Sequence, residues 1–176
     1  MEQSGIYSNI KNIGTCNVNY NSNNLGYTKG GVVVAITRAY YDRTIDLYGD
    51  SKMDRFKRGV NITVSVPILQ NTTTEMAYWD QDGTTSGTTF TFGQSTGAAL
   101  SGYLLVLEPK DDNANDLVIY RAQPDPSSSY TYSDNNELIT TVVFHGTIDT
   151  SRTNNDLMFK WDTSYSWSKS SSSVSK

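Results

Sequence analysis

The sequence predicts a mainly β domain: an antiparallel β-sandwich or barrel flanked by one short α-helix. Three observations predict it. Ser, Thr and Asn supply 57 of the 176 residues and Tyr is the main aromatic, a composition that suits strands joined by polar turns better than packed helices. Short runs with a two-residue hydrophobic period recur along the chain. A single stretch, TTTEMAYWD, carries a helix start signal.

The elements follow in order. Cys16, Val18 and Tyr20 alternate with Asn17 and Asn19, the pattern of a half-buried strand. Cys16 is the only cysteine, which excludes an intrachain disulfide and suits a small core residue better than a reactive thiol. LGYTKGG reads as a turn, and residues 32–41, dense in β-branched and aromatic side chains, as a strand covered on both faces. In GVNITVSVPIL, Val60, Ile62, Val64, Val66 and Ile68 share one face and Asn61, Thr63 and Ser65 the other, because strand side chains alternate. Pro67 lies on the polar parity, where a missing N–H is tolerated at an edge or bulge.

Thr72 followed three positions on by Glu75 forms a capping box and opens a helix of two to three turns that Asp82-Gly83 ends. Further strands are expected at 88–92, 103–108, 116–122 and 137–149, with a last one through Leu157, Phe159 and Trp161. Residues 1–165 make one domain, long enough to bury a core without staples. The Ser-rich segment 166–176 is expected to be a mobile tail, too poor in bulky side chains to offset its ordering entropy.

Composition also narrows function. A net charge of −4 argues against a nucleic-acid grip, which depends on Lys and Arg displacing counterions from phosphates. No secretory pattern opens the sequence and its longest apolar runs, VVVAI and YLLVL, are too short to span a bilayer, so a soluble protein made in the cytoplasm, with no membrane partner, is expected. The tripeptides NIT and NTT match glycosylation acceptors but carry no weight without such a signal. One histidine and one cysteine cannot form a zinc cluster within a chain. DDNAND at 111–116 has Asp116 where a calcium loop needs Gly and Ala122 where it needs Glu, so a polar turn is expected.

His145 falls inside a strand on the parity opposite Val142 and Phe144, with no Gly-x-Ser-x-Gly motif nearby, and reads as structural or solvent-facing. No carboxylate pair stands out for glycoside hydrolysis. Neither catalysis nor a cofactor is expected. Trp79, Trp161 and Trp167 leave a carbohydrate-binding β-sandwich as the alternative function, with a glycan-cleaving enzyme third, though Trp79 on a short helix reads as a core anchor.

The segment 42–58 breaks the pattern, holding nine of the chain's thirty-two charged residues. Asp42, Asp46, Asp50 and Asp54 recur every four positions, but Gly49 and the β-branched Thr44 and Ile45 oppose a helix. A long loop or extended hairpin between two strands is expected. Its interleaved Ile45, Leu47, Tyr48, Met53 and Phe56 would gain nothing from exposure in a merely solvated loop. The segment therefore reads as an arm that docks on a neighbouring subunit, with Tyr48 and Phe56 as anchors. Asp46, Asp50, Asp54, Arg55, Lys57 and Arg58 would set register and partner choice around Gly49.

These motifs resemble the major tail tube proteins of tailed bacteriophages. Leu25, Gly26, Thr28, Gly30, Gly31 and Val32 match that family's Leu-Gly-x-Thr-x-Gly-Gly-Val start. Asp46, Tyr48, Gly49, Asp54 and Gly59 match its Asp-x-Tyr-Gly segment leading to an Asp and a Gly. The likeness covers about the first half of the chain. A proline that many members carry soon after the Tyr-Gly pair is missing, since Lys52 stands there and no proline precedes Pro67.

The resemblance implies a β-sandwich with one flanking helix. Six copies would close into a ring whose inner sheets form a continuous barrel, and rings would stack into the hollow conduit for DNA ejection. It implies a virion-tail location, assembly in the host cytoplasm, and tape measure, tail terminator and baseplate or distal tail proteins as partners. Asn61, Thr63 and Ser65 are then candidate channel-facing residues, on a wall that DNA passes without specific binding.

Overall fold

The computed structural model describes residues 15–69, 72–93, 99–110, 114–125, 137–152 and 157–162, apart from the side chain of Tyr48. The Ser-rich tail, Trp167 and positions 111–113 of the DDNAND turn lie outside the described residues. The chain is mainly β and its strand pairs are antiparallel. Its elements are β1 (Cys16–Tyr20), β2 (Asn23–Asn24), β3 (Val33–Thr44), β4 (Lys52–Ile68), α1 (Thr73–Trp79), β5 (Gly83–Ser86), β6 (Thr89–Phe92), β7 (Tyr103–Pro109), β8 (Asp116–Asp125), β9 (Thr140–Gly146) and β10 (Phe159–Asp162). One large sheet runs β2-β1-β7-β8-β9-β4-β3, β10 also pairs with β8, and β5 and β6 form a separate hairpin.

The two-residue period of β4 builds the core. Ile62, Val64, Val66 and Ile68 are buried, each worth roughly 1.5–3 kcal/mol relative to exposure. Across the sheet, Val64 faces Val34 on one side and Phe144 on the other. Val18 and Tyr20 of β1, near the opposite end of the strand path, join the same cluster, with Leu105, Leu107, Leu117, Ile119 and Trp79. The sheet therefore curls around one core, and Trp79 is the anchor by which α1 covers it. Among the described residues the curl stops short of closure, because the path ends at β2 and β3 without pairing them.

Tyr20 shows how the core handles a polar tip. Its ring packs 4.9 Å from that of Phe144, while the hydroxyl donates to the Ala122 carbonyl at 3.2 Å and accepts from Gln81 Nε2 at 3.1 Å. Burial, opposed by the Gln81 hydrogen bond, pushes this phenol up to about 12.

In β8 an extra residue switches the parity. Leu105 pairs Ile119 but Tyr103 pairs Ala122, so Leu117 and Ile119 point into the main core, then Ala122, while Arg121 and Gln123 face away. Pro67 keeps its place because its carbonyl accepts from Lys29 N at 3.1 Å, past the end of β3. N–H and C=O of one strand residue point to the same side, so its missing donor breaks no bond to β9.

The capping box at α1 forms as the sequence predicts: Glu75 N donates to Thr72 Oγ1 at 3.3 Å, and Thr72 N donates to Glu75 Oε2 at 3.1 Å. Thr72→Ala is expected to lower unfolding free energy by about 1 kcal/mol. The check is a urea titration in which the midpoint falls and the slope stays.

Three expectations need correction. The strand at 32–41 is covered on one face only as far as Ile36, with Val33 60% exposed, and on neither face from Thr37 on, where it leaves the core paired with β4. The helix ends at Trp79, and Asp82-Gly83 leads instead into the β5–β6 hairpin, whose first strand the sequence reading lacked. The 137–149 strand shrinks to Thr140–Gly146.

Candidate functional site: the β3–β4 arm

Beyond the Ile36–Ile62 pair, β3 and β4 leave the core and continue as a two-stranded hairpin. Of the side chains described from Thr37 to Arg58, all but Asp42 are exposed. The extended hairpin expected at 42–58 is thus what forms, and it begins a few residues earlier.

Two register shifts shape it. Ala39 pairs Gly59 while Tyr40 pairs Lys57, leaving Arg58 as an extra residue; Arg43 pairs Asp54 while Thr44 pairs Lys52, leaving Met53 extra. Each bulge increases the strand twist and re-aims the side chains beyond it. At the tip, Asp46–Tyr48 form a 3-10 turn closed by Gly49 N donating to the Asp46 carbonyl at 3.2 Å. Gly49 has φ 63°, a left-handed conformation that favours glycine.

Between the bulges the two faces differ in chemistry. One carries Tyr40, Asp42, Arg55 and Lys57. There Lys52 Nζ lies 2.5 Å from Asp42 Oδ2, and Arg55 Nε lies 3.2 Å from Oδ1, an ion pair without hydrogen-bond alignment. Arg55 also stacks 4.4 Å above the Tyr40 ring. The Lys52 hydrogen bond above all, with the charges of Lys52 and Arg55, holds the Asp42 carboxyl below its ordinary value of 3.8. This network fixes the arm's own register.

The other face pairs Tyr41 with Phe56 and Arg43 with Asp54, and Arg58 lies over Tyr41 at 5.8 Å. Tyr41 is 54% exposed, Phe56 and Met53 each 49%, and Leu47 at the tip 81%. Asp46, Asp50 and Asp54 are exposed and make no ion pair among the described residues.

Arg55, expected among the residues that select a partner, lies against Asp42 and Tyr40 within the chain. Tyr40 and Tyr41, expected within a covered strand, stand exposed on the arm instead. Their signal was AYYDRT, aromatic residues running straight into charges.

Asn61, Thr63 and Ser65 lie on the sheet face opposite the core, Asn61 exposed and the other two half-buried. Their rows extend across neighbouring strands: Ala35, Thr63, His145 and Gln123 in one, Val33, Ser65, Val143 and Asp125 in the next. These two rows contain no Lys or Arg, although Arg121 of β8, beside Thr147, lies on the same face one row on. His145 Nε2 and Asp125 Oδ2 are 3.7 Å apart, and the rows through Thr63 and Ser65 are otherwise uncharged.

Elsewhere, Cys16 is half-buried against the core and burial pushes its thiol up. Trp79 is 1% exposed and Trp161 52%. No group of three His, Cys, Asp or Glu side chains suited to a metal ion occurs among the described residues.

No protein-family model matches the chain, and no curated protein matches it in sequence.

Proposed function

We propose that the chain is a self-assembling structural subunit, the tail tube protein of a tailed phage. Six copies form a ring, rings stack into a hollow tube, and tape measure, terminator and baseplate proteins meet its ends. The observation that carries this reading is the β3–β4 arm, which holds Tyr41, Leu47, Met53 and Phe56 away from the chain's own core. An isolated subunit gains nothing from ordering and exposing such side chains, whereas a partner surface repays both. The sheet supports the reading too, because its β3 edge, unpaired among the described residues, is a liability that neighbours would cover.

The rows through Thr63 and Ser65, free of Lys and Arg, suit a conduit for DNA, since a wall without surplus Lys or Arg cannot drive counterion release. Purified full-length protein is expected to show hollow rings or filaments by negative-stain electron microscopy. A monodisperse monomer at high concentration, above all one that binds on a glycan array, would overturn the reading in favour of a carbohydrate-binding module.

The channel assignment has its own check. Asn61→Lys/Thr63→Lys tubes are expected to retain double-stranded DNA at low salt and release it steeply as salt rises, unlike wild type. Equal retention by variant and wild type would remove these residues from the channel wall.

A further inference from the structure

Where the sheet fails to close, an apolar groove of 290 Å³ opens between β1 and β3, lined by Cys16, Val34, Ile36, Leu107, Leu117 and Trp161 among others. We infer that this groove receives the arm tip of a second copy, with Leu47 as the inserted anchor. The inference rests on the self-assembly reading and adds to it the two surfaces that meet.

Three observations argue for that occupant. Leu47 has the highest exposure of the large apolar side chains described, at 81%, and stands on the 3-10 turn at the arm's tip, the form of an anchor that fills a pocket. A chain cannot use its own groove: β3 runs from Ile36, in the groove wall, to Thr44 at the base of the tip, roughly 26 Å in the outward direction at strand rise. A cation also stands where the carboxylates of the tip could meet it. Asp46 and Asp50 flank Leu47, while exposed Lys110 follows Pro109 at the groove edge, its N–H donating to the Thr15 carbonyl at 2.9 Å. None of these three charges has an ion partner among the described residues.

The exposed run on the arm, about twenty residues, matches one side of a standard protein interface. Tip and groove are different surfaces of one chain, so their contact is head-to-tail. Such contacts either close into rings or propagate as filaments, which ties this geometry to a tube rather than to a symmetric dimer.

The lone cysteine makes the contact testable. With Leu47→Cys, each copy carries one thiol at the tip and one in the groove. Oxidation by diamide, which takes two electrons and two protons from each thiol pair, is then expected to link successive copies into a covalent ladder on a non-reducing gel. Mildly alkaline conditions help, because burial raises the Cys16 thiol and the thiolate is the reacting form. Wild type, with one thiol, can give only dimers. Leu47→Cys/Cys16→Ser and a Thr141→Cys control on the far sheet face are expected to give no ladder.

Independently, Lys110→Glu is expected to slow assembly about tenfold at low salt, and Asp46→Lys/Asp50→Lys in the same chain to restore it. Rings formed by the Leu47→Cys protein without a ladder overturn this inference and leave the tube reading standing. Absence of rings from wild type and all variants, with no ladder, overturns both.

Discussion

Phe144→Ala is expected to lower unfolding free energy by about 3–5 kcal/mol, the largest stability loss of any single truncation argued from this structure. Phe144 is fully buried on β9, directly across from Val64 on β4, and its ring packs on Tyr20 from β1. It thus joins elements from both ends of the strand path. Its removal leaves a cavity whose walls are strands held in register by β4, so collapse to refill the space is restricted. Small domains have only about 5–15 kcal/mol of net stability, so the urea midpoint should fall by about a fifth or more. The neighbouring Val143→Ala, on the opposite sheet face, is the control and is expected to cost about 1 kcal/mol or less. Equal midpoints for the two variants would mean that Phe144 is not where the two ends of the curled sheet meet.

Two parts of the fold were legible in the sequence because local chemistry decides them. The alternation from Val60 to Ile68 needs nothing but strand geometry to sort its side chains into two faces, and the Thr72–Glu75 pair satisfies backbone groups only a few residues away. β3 was less legible. Its β-branched and aromatic run is the same whether a strand has one neighbour or two, and only the sheet order shows that Val33, Tyr40 and Tyr41 stay exposed. The parity switch inside β8 depends on an extra residue between its pairings to Tyr103 and Leu105, and no side-chain pattern announces it. β5 was missed because GTTS carries no apolar alternation at all. For the arm, the mixture of Leu47, Met53 and Phe56 with dense charge pointed to a docking element. The division of labour among those charges needed the register, since Asp42 meets Lys52 and Arg55 only once Met53 is bulged out.

That division of labour governs the second large effect. Tyr41→Ala/Phe56→Ala is expected to leave the urea midpoint nearly unchanged yet weaken ring assembly by about a thousandfold, taking roughly 2 kcal/mol for each buried interface aromatic. Within the free subunit the two rings form an exposed cross-strand pair, worth only about 0.2–1 kcal/mol. The arm's own register is held on the other face by Asp42, Lys52, Arg55 and Tyr40, which this variant leaves intact. Charge reversals then fall into two kinds. Asp50→Lys touches a residue with no ion partner among the described residues and should change the rate and salt dependence of assembly alone. Arg55→Glu sets two carboxylates side by side at Asp42, so it should disorder the arm before any partner arrives and mimic the aromatic variant in assembly. Amide exchange across 40–57 separates the cases: protection is retained in Tyr41→Ala/Phe56→Ala and in Asp50→Lys, and lost in Arg55→Glu. Full assembly by the aromatic variant would show that the arm contributes no binding energy and serves only as a solvated extension of the sheet.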